Sequence, residues 1–231
     1  MSIALSTPLP TLLFAAVATV AVAGCGVTVN LDTDATRRVN TDTIEVGDLR
    51  ALDVTTENGT IEVRAADNGA ADEITVDSVI RAHDEGDADA SIDVVGDRLV
   101  LRGECDEGWF EHCSVGFVVE VPASFDIDVA TDNGRVEVYG LTGDVRIDSD
   151  NGAIRADGLG PSTVDAHTDN GRVQLSFDDV PDSAVATTDN GSIDIQLPPS
   201  DTDGAGDSTG GYDVDATTDN GGGDVDVPTD P

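Results

Sequence analysis

The sequence contains no lysine. Its 231 residues carry 47 Asp and Glu against 11 basic residues, all of them Arg, for a formal charge of −36. A surface of that sign repels nucleic acid and anionic headgroups alike, so neither is expected as a charge-driven partner. Aromatic side chains are scarce at 3%, and Trp109 is the single tryptophan. A broad globular core draws on more large rings than this, whereas a narrow interior of Val, Ile, Leu and Ala needs few. Catalytic signatures are missing too: the chain has no Gly-x-Ser-x-Gly elbow, Walker loop or His-Glu-x-x-His motif. Gly204-Ala205-Gly206 sits in a polar stretch without the third glycine or the strand of a dinucleotide site. His83, His112 and His167 stand apart in polar surroundings and read as solvated. Among so many acids, close carboxylate pairs arise by chance. The sequence therefore predicts a chain that is not an enzyme, with no catalytic residue, no cofactor and no metal site.

Long apolar runs are also absent. Leu12 to Gly24 is apolar but, at roughly a dozen residues, too short to cross a bilayer core of about 30 Å, and it suits a signal-peptide core. It leads into Val22-Ala23-Gly24-Cys25, which resembles the lipobox of prokaryotic lipoproteins, in which the cysteine receives the lipid. No Lys or Arg precedes Arg37, so the positively charged n-region and the twin-arginine motif of such leaders are lacking. The reading is a signal peptide over residues 1–24, lipidation at Cys25, and a polar tether over residues 25–43. A folded domain over residues 44–227 follows, with a disordered tail over residues 228–231.

What the chain does have is repetition. Thr131-Asp132-Asn133-Gly134 returns as Ser149-Asp150-Asn151-Gly152, Thr168-Asp169-Asn170-Gly171 and Thr188-Asp189-Asn190-Gly191. Outlying copies are Thr56-Glu57-Asn58-Gly59 and Thr218-Asp219-Asn220-Gly221. The asparagines at 133, 151, 170 and 190 lie 18, 19 and 20 residues apart by subtraction. A period near that length marks a repeat architecture, in which each unit buries its apolar face only against its neighbours. Asn-Gly suits a sharp bend, because both residues tolerate positive φ. On either side, Val, Ile and Leu alternate with Asp, Arg, Glu or Gln, the pattern of strands buried on one face.

The predicted fold is all-β, a single-stranded β-solenoid of roughly 18–20-residue coils. The same bend flanked by alternating apolar residues is also a hairpin signal, so an antiparallel β-sandwich is the alternative. Stacked coils would align Asp132, Asp150, Asp169 and Asp189 in one column and the asparagines in another, where Asn side chains can hydrogen-bond along the stack.

Before the regular repeats, the strands at 74–80, 92–94 and 99–101 read as hairpins that widen or cap the amino-terminal end of the solenoid. Cys105 and Cys113 are predicted to form a disulfide, since paired cysteines in an exported protein usually do. Trp109 and Phe110, between them, suit either a surface recognition tip or a plug for the end of the solenoid. Pro198 to Gly211 reads as a linker or long loop, and the segment from Tyr212 as one degenerate, polar capping coil. Asn58-Gly59-Thr60 and Asn190-Gly191-Ser192 match the N-glycosylation acceptor pattern.

From Val119-Glu120-Val121-Pro122-Ala123-Ser124-Phe125-Asp126-Ile127-Asp128-Val129 through the Asn-Gly repeats to Leu159, the chain resembles the putative-adhesin domain family. That is a group of bacterial and archaeal β-solenoid surface proteins of unknown function with Asn-Gly bends, and the likeness covers roughly residues 44 to 227. It implies a β-helix-like fold on the cell surface and carries no catalytic motif. The Asp-rich, Lys-free composition resembles that of proteins from salt-loving archaea, where a Debye length of about 3 Å at molar salt screens self-repulsion.

The functional expectation is a cell-surface lipoprotein on the outer face of the cytoplasmic membrane. Its role would be structural, adhesive or binding, toward an unknown protein or glycan ligand. The alternative is a calcium- or cation-responsive envelope module using the stacked Asp residues at the bends.

Overall fold

The computed structural model describes residues 25–29, 36–67, 71–82, 88–105, 113–160, 162–199 and 212–226, and these contain only strands and connecting segments. Six coils share one plan. A strand runs to the Asn-Gly bend, turns, and continues as a second strand on the opposite face. The first face holds β3 (Ala51–Asn58), β9 (Asp126–Asn133) and β11 (Val145–Asn151), together with the first halves of β13 (Thr163–Phe177), β14 (Ser183–Gln196) and β15 (Val214–Asp226). The second face holds β4 (Ile61–Ala65), β10 (Val136–Tyr139), β12 (Ile154–Leu159) and the second halves of β13, β14 and β15.

Neighbouring coils pair in parallel and in register. Asn133 pairs with both Asn58 and Asn151, Asn170 follows Asn151, and Asn190 and Asn220 continue the line. This settles the choice between the two predicted geometries. A hairpin at each bend would set Ile147 opposite Ala156, whereas Ile147 pairs with Val129 and Ala166 on neighbouring coils. The β-solenoid expectation holds and the sandwich does not.

The interior follows from alternation. Leu52, Val54, Ile127, Val129, Val145 and Ile147 point inward from the first face and are buried. Ile61, Val63, Val136, Val138 and Ile154 meet them from the second. Each such side chain contributes about 1.5–3 kcal/mol when removed from water. The two faces share the volume unevenly along the stack. Where β14 offers only Ala184 and Ala186 from one side, Ile193 and Ile195 fill the space from the other.

Spatial order departs from chain order at the amino-terminal end. The coil of β3 and β4 lies between β9 and β10 on one side and β7 (Arg98–Cys105) and β8 (Ser114–Val121) on the other. β7 and β8 thus form a further coil. Its corner is closed by the Cys105–Cys113 disulfide, Cα to Cα 6.0 Å, in place of an Asn-Gly bend. Outside this coil the pairing becomes antiparallel: β6 (Ala88–Val95) on β7, then β5 (Glu73–Ala82) on β8 and β2 (Thr36–Glu45) on β5. Only β6 and β7 form the local hairpin expected for this region, while β5 pairs with two strands distant in sequence.

Two expectations need correction. In the described part of the expected tether, β1 (Cys25–Val29) pairs antiparallel with β2, which pairs with β5 over ten residues, so these two segments belong to the sheet; residues 30–35 lie outside the described residues. Ile44 is the only buried residue described in β2, so backbone hydrogen bonding to an open edge, rather than apolar alternation, recruits this polar segment. Nor do the bend glycines serve by positive φ, which among the described glycines occurs instead at Gly47, Gly96, Gly140 and Gly158. Glycine is required at the bends by close approach. A Cβ on Gly152 would lie 1.7 Å from the Gly134 carbonyl oxygen, and one on Gly171 1.8 Å from that of Gly152.

The contrast gives a direct expectation. Gly152→Ala forces two backbones apart and is expected to destabilise by at least the roughly 1–3 kcal/mol of an overpacked site. Gly222→Ala, where a Cβ meets nothing within 4 Å, is expected to be close to neutral. Urea unfolding of both variants in molar KCl measures the difference.

Candidate functional site

The feature that distinguishes this molecule is the column of bends, built from three adjacent ladders. The asparagine side chains form a directed chain of amides. Asn151 Nδ2 donates to Asn133 Oδ1 at 3.3 Å, Asn170 to Asn151 at 3.0 Å, Asn190 to Asn170 at 3.1 Å and Asn220 to Asn190 at 3.2 Å. The backbone runs the opposite way: the N–H of Gly59, Gly134 and Gly152 donates to the carbonyl of Asn133, Asn151 and Asn170 respectively.

Inside the bend stands a column of hydroxyls two residues before each asparagine, at Thr56, Thr131, Ser149, Thr168, Thr188 and Thr218. Thr168 and Thr188 donate to the carbonyls of Gly152 and Gly171 at 3.0 and 3.2 Å, and Thr56 to that of Val115 at 2.7 Å. The hydroxyls of Thr131, Ser149 and Thr218 are buried without a hydrogen-bond partner. Alternation marks these inward positions, but an apolar-against-polar count passes over them. Their signal is that the residue two before the Asn of each of the six stacked bends is Thr or Ser.

The acids of the repeat, Glu57, Asp132, Asp150, Asp169, Asp189 and Asp219, lie between the paired hydroxyl and asparagine positions. Asp132, Asp150, Asp189 and Asp219 are exposed. They follow one another at the strand spacing of about 4.8 Å. Among the described residues, no three of His, Cys, Asp or Glu come together as a metal-ligand set. Calcium takes six to eight oxygens at about 2.3–2.6 Å, and a line of single carboxylates does not converge in that way.

A second set of acids, which the sequence reading did not single out, holds the return corners. Asp126 Oδ1 accepts the N–H of Asp144 at 3.1 Å, and Asp144 Oδ1 accepts that of Thr163 at 3.0 Å. These corners border an open concavity of about 370 Å³ that also includes Arg98 and Arg146. Its arginines pair with carboxylates, Arg98 with Asp53, and Arg146 with Asp165 at 3.0 Å. On the second face, Arg155 pairs with Asp157 at 2.6 Å, and Arg64 with Glu62. Such exposed pairs are individually worth about 0–1 kcal/mol. Burial, then the Glu137 carboxylate, push the Tyr139 phenol above its ordinary value, so it stays protonated at neutral pH. His167 is half-buried, 3.2 Å from Asp169.

The asparagines and glycines singled out at the six bends thus come together in one column. Cys105 and Cys113 come together as a disulfide at the corner of the β7–β8 coil. Cys25 opens β1 at the far amino-terminal edge of the sheet, well away from them. The predicted signal peptide, Trp109, Phe110, His83, His112 and residues 228–231 lie outside the described residues. So does nearly all of the predicted linker, of which only Pro198 and Pro199 are described.

The chain belongs to the family described as Toastrack DUF4097, whose model matches residues 38–227. That match begins within β2, six residues before the start expected for the folded domain. Among solved structures, the chain is similar to a putative cell adhesion protein from Clostridium sporogenes at 7% identity and a TM-score of 0.33, over 82% of this chain and 98% of that one. It is similar also to a putative adhesin from Bacteroides fragilis at 14% identity and a TM-score of 0.33, over 80% and 94% of the two chains. No curated protein matches the chain.

The hydroxyl column yields a paired test. Thr168→Val removes a donor from the Gly152 carbonyl and is expected to destabilise by about 1 kcal/mol. Thr131→Val removes a hydroxyl with no partner and is expected to be neutral or stabilising. Equal losses in thermal unfolding of the two variants would show that these hydroxyls do not act through the glycine carbonyls.

Proposed function

We propose that this toastrack chain is a lipid-anchored surface protein without catalytic activity, a rigid β-solenoid on the outer face of the cytoplasmic membrane that serves a structural, adhesive or binding role. The observation that carries the reading is the position of Cys25. The residue that ends the lipobox-like Val22-Ala23-Gly24-Cys25 also begins β1, the last strand at one end of the sheet. An acyl chain on that cysteine would hold the stack by its end with no slack between. From β1 to β15 the second face runs through ten strands, β1-β2-β5-β8-β4-β10-β12-β13-β14-β15, hence nine spacings or about 43 Å.

The charge is distributed along this axis. Arg37, Arg38 and Arg81 lie on β2 and β5 near the anchored end, and no Arg follows Arg172, so β14 and β15 carry acids alone. The far end is therefore the part offered to a protein or glycan ligand, and the acidic surface suits a saline exterior. Because the repeat residues are engaged in holding coil to coil, the outward columns remain for recognition.

Intact mass of the membrane-extracted protein tests the anchor. The expected mass lacks residues 1–24 and carries a lipid, and Cys25→Ser releases the protein from the membrane. A soluble mature form without lipid overturns the reading. The cation-responsive alternative rests on the exposed Asp column. It requires calcium to raise the melting temperature in molar KCl, and an unchanged melting curve removes it.

A further inference from the structure

Asn-Gly is also a reactive pair. The glycine nitrogen can attack the asparagine Cγ, closing a five-membered succinimide and expelling the side-chain nitrogen as ammonia. Water then opens the ring at either carbonyl, leaving aspartate or isoaspartate; no oxidant or reductant takes part. The reaction needs a glycine N–H released from hydrogen bonding and an asparagine free to rotate its amide toward it.

The ladders withhold both along the stack. The N–H groups of Gly59, Gly134 and Gly152 are bonded to the next coil at 3.1, 3.2 and 3.2 Å. The same register continues through Asn170–Gly171 on Asn190–Gly191, and Asn190–Gly191 on Asn220–Gly221. Asn151, Asn170 and Asn190 are held at both ends, each donating from Nδ2 and accepting at Oδ1.

Asn220 differs. It donates to Asn190, but among the described residues β15 pairs only with β14, so no further coil meets the Asn220 Oδ1 or the Gly221 N–H. Every residue from Asn220 to Asp226 is exposed. Buried Val136, Ile154, Val173 and Ile193 clamp the chain two residues after the other bend glycines, at 134, 152, 171 and 191. After Gly221 come Gly222 and Gly223, where even a Cβ would touch nothing within 4 Å.

We infer that Asn220–Gly221 is a self-modifying bend, the place in the stack where succinimide chemistry proceeds in the folded protein. Conversion removes the Nδ2 donor to Asn190 and adds a carboxylate to the end of the stack that has no arginine. It therefore loosens β15 first and exposes the Asn190 bend next.

The test incubates the full-length folded protein in molar KCl at mildly alkaline pH and quantifies isoaspartate at each Asn-Gly by peptide mapping. Residue 220 is expected to convert more than about tenfold faster than 133, 151, 170 or 190, a factor equivalent to about 1.4 kcal/mol of local opening. The same protein in concentrated denaturant is expected to show these rates converging. Equal rates in the folded protein overturn the proposal. So does a lead for residue 220 that persists after unfolding, since the glycines following it, and not the missing coil, would then be the cause.

Discussion

The structure depends on one close approach. At each bend the carbonyl oxygen of one glycine occupies the space that a Cβ on the next coil's glycine would need, at 1.6–1.8 Å from Gly134 to Gly221. Nothing but glycine fits, and once glycine sets the distance the neighbouring columns follow. The asparagines come within hydrogen-bond reach of one another, and at Thr168 and Thr188 the hydroxyl two residues earlier reaches the glycine carbonyl of the coil beside it. Because strand side chains alternate, fixing this one point fixes which residues of every coil face inward; a slip of one residue would turn Val136 and Val138 outward.

A stack held in this way has two ends, and they differ. At the amino-terminal end the last coil exchanges the Asn-Gly bend for a disulfide, with both sulfurs' residues buried, and antiparallel strands extend each face. At the carboxy-terminal end β15 keeps the bend but offers Gly223 where the preceding coils have Val173 and Ile193. That edge carries Asp215, Asp219, Asp224 and Asp226, and an exposed strand so charged resists pairing with other chains. Screening at molar salt shortens the reach of that repulsion to about 3 Å, so the charge protects this edge most at low ionic strength.

Much of this was legible in the sequence because a repeat writes its own register. The spacing of Asn133, Asn151, Asn170 and Asn190 led to parallel coils, and alternation led to the buried Val and Ile positions. The remainder was hidden for physical reasons. The strands of residues 25–45 form by edge pairing, which leaves almost no apolar periodicity to read. The coil of β3 and β4 is first in sequence yet second in the stack, because β7 and β8 insert beside it through long-range pairing. The glycine requirement was read as torsional when it is steric, a distinction that depends on a neighbouring backbone. The corner acids Asp126 and Asp144 were lost among the chain's 47 acids.

The central claim is that the bend column, through glycine N–H groups bonded to the next coil, holds the coils in register. Hydrogen exchange of the folded protein in molar KCl, resolved at the glycines of the bends, tests it most directly. The account expects Gly134, Gly152 and Gly171 to exchange slowly, with protection approaching that of global unfolding, and Gly221 to exchange quickly. Uniformly fast exchange at the four positions would contradict it, since the coils would then be held by their apolar interior alone.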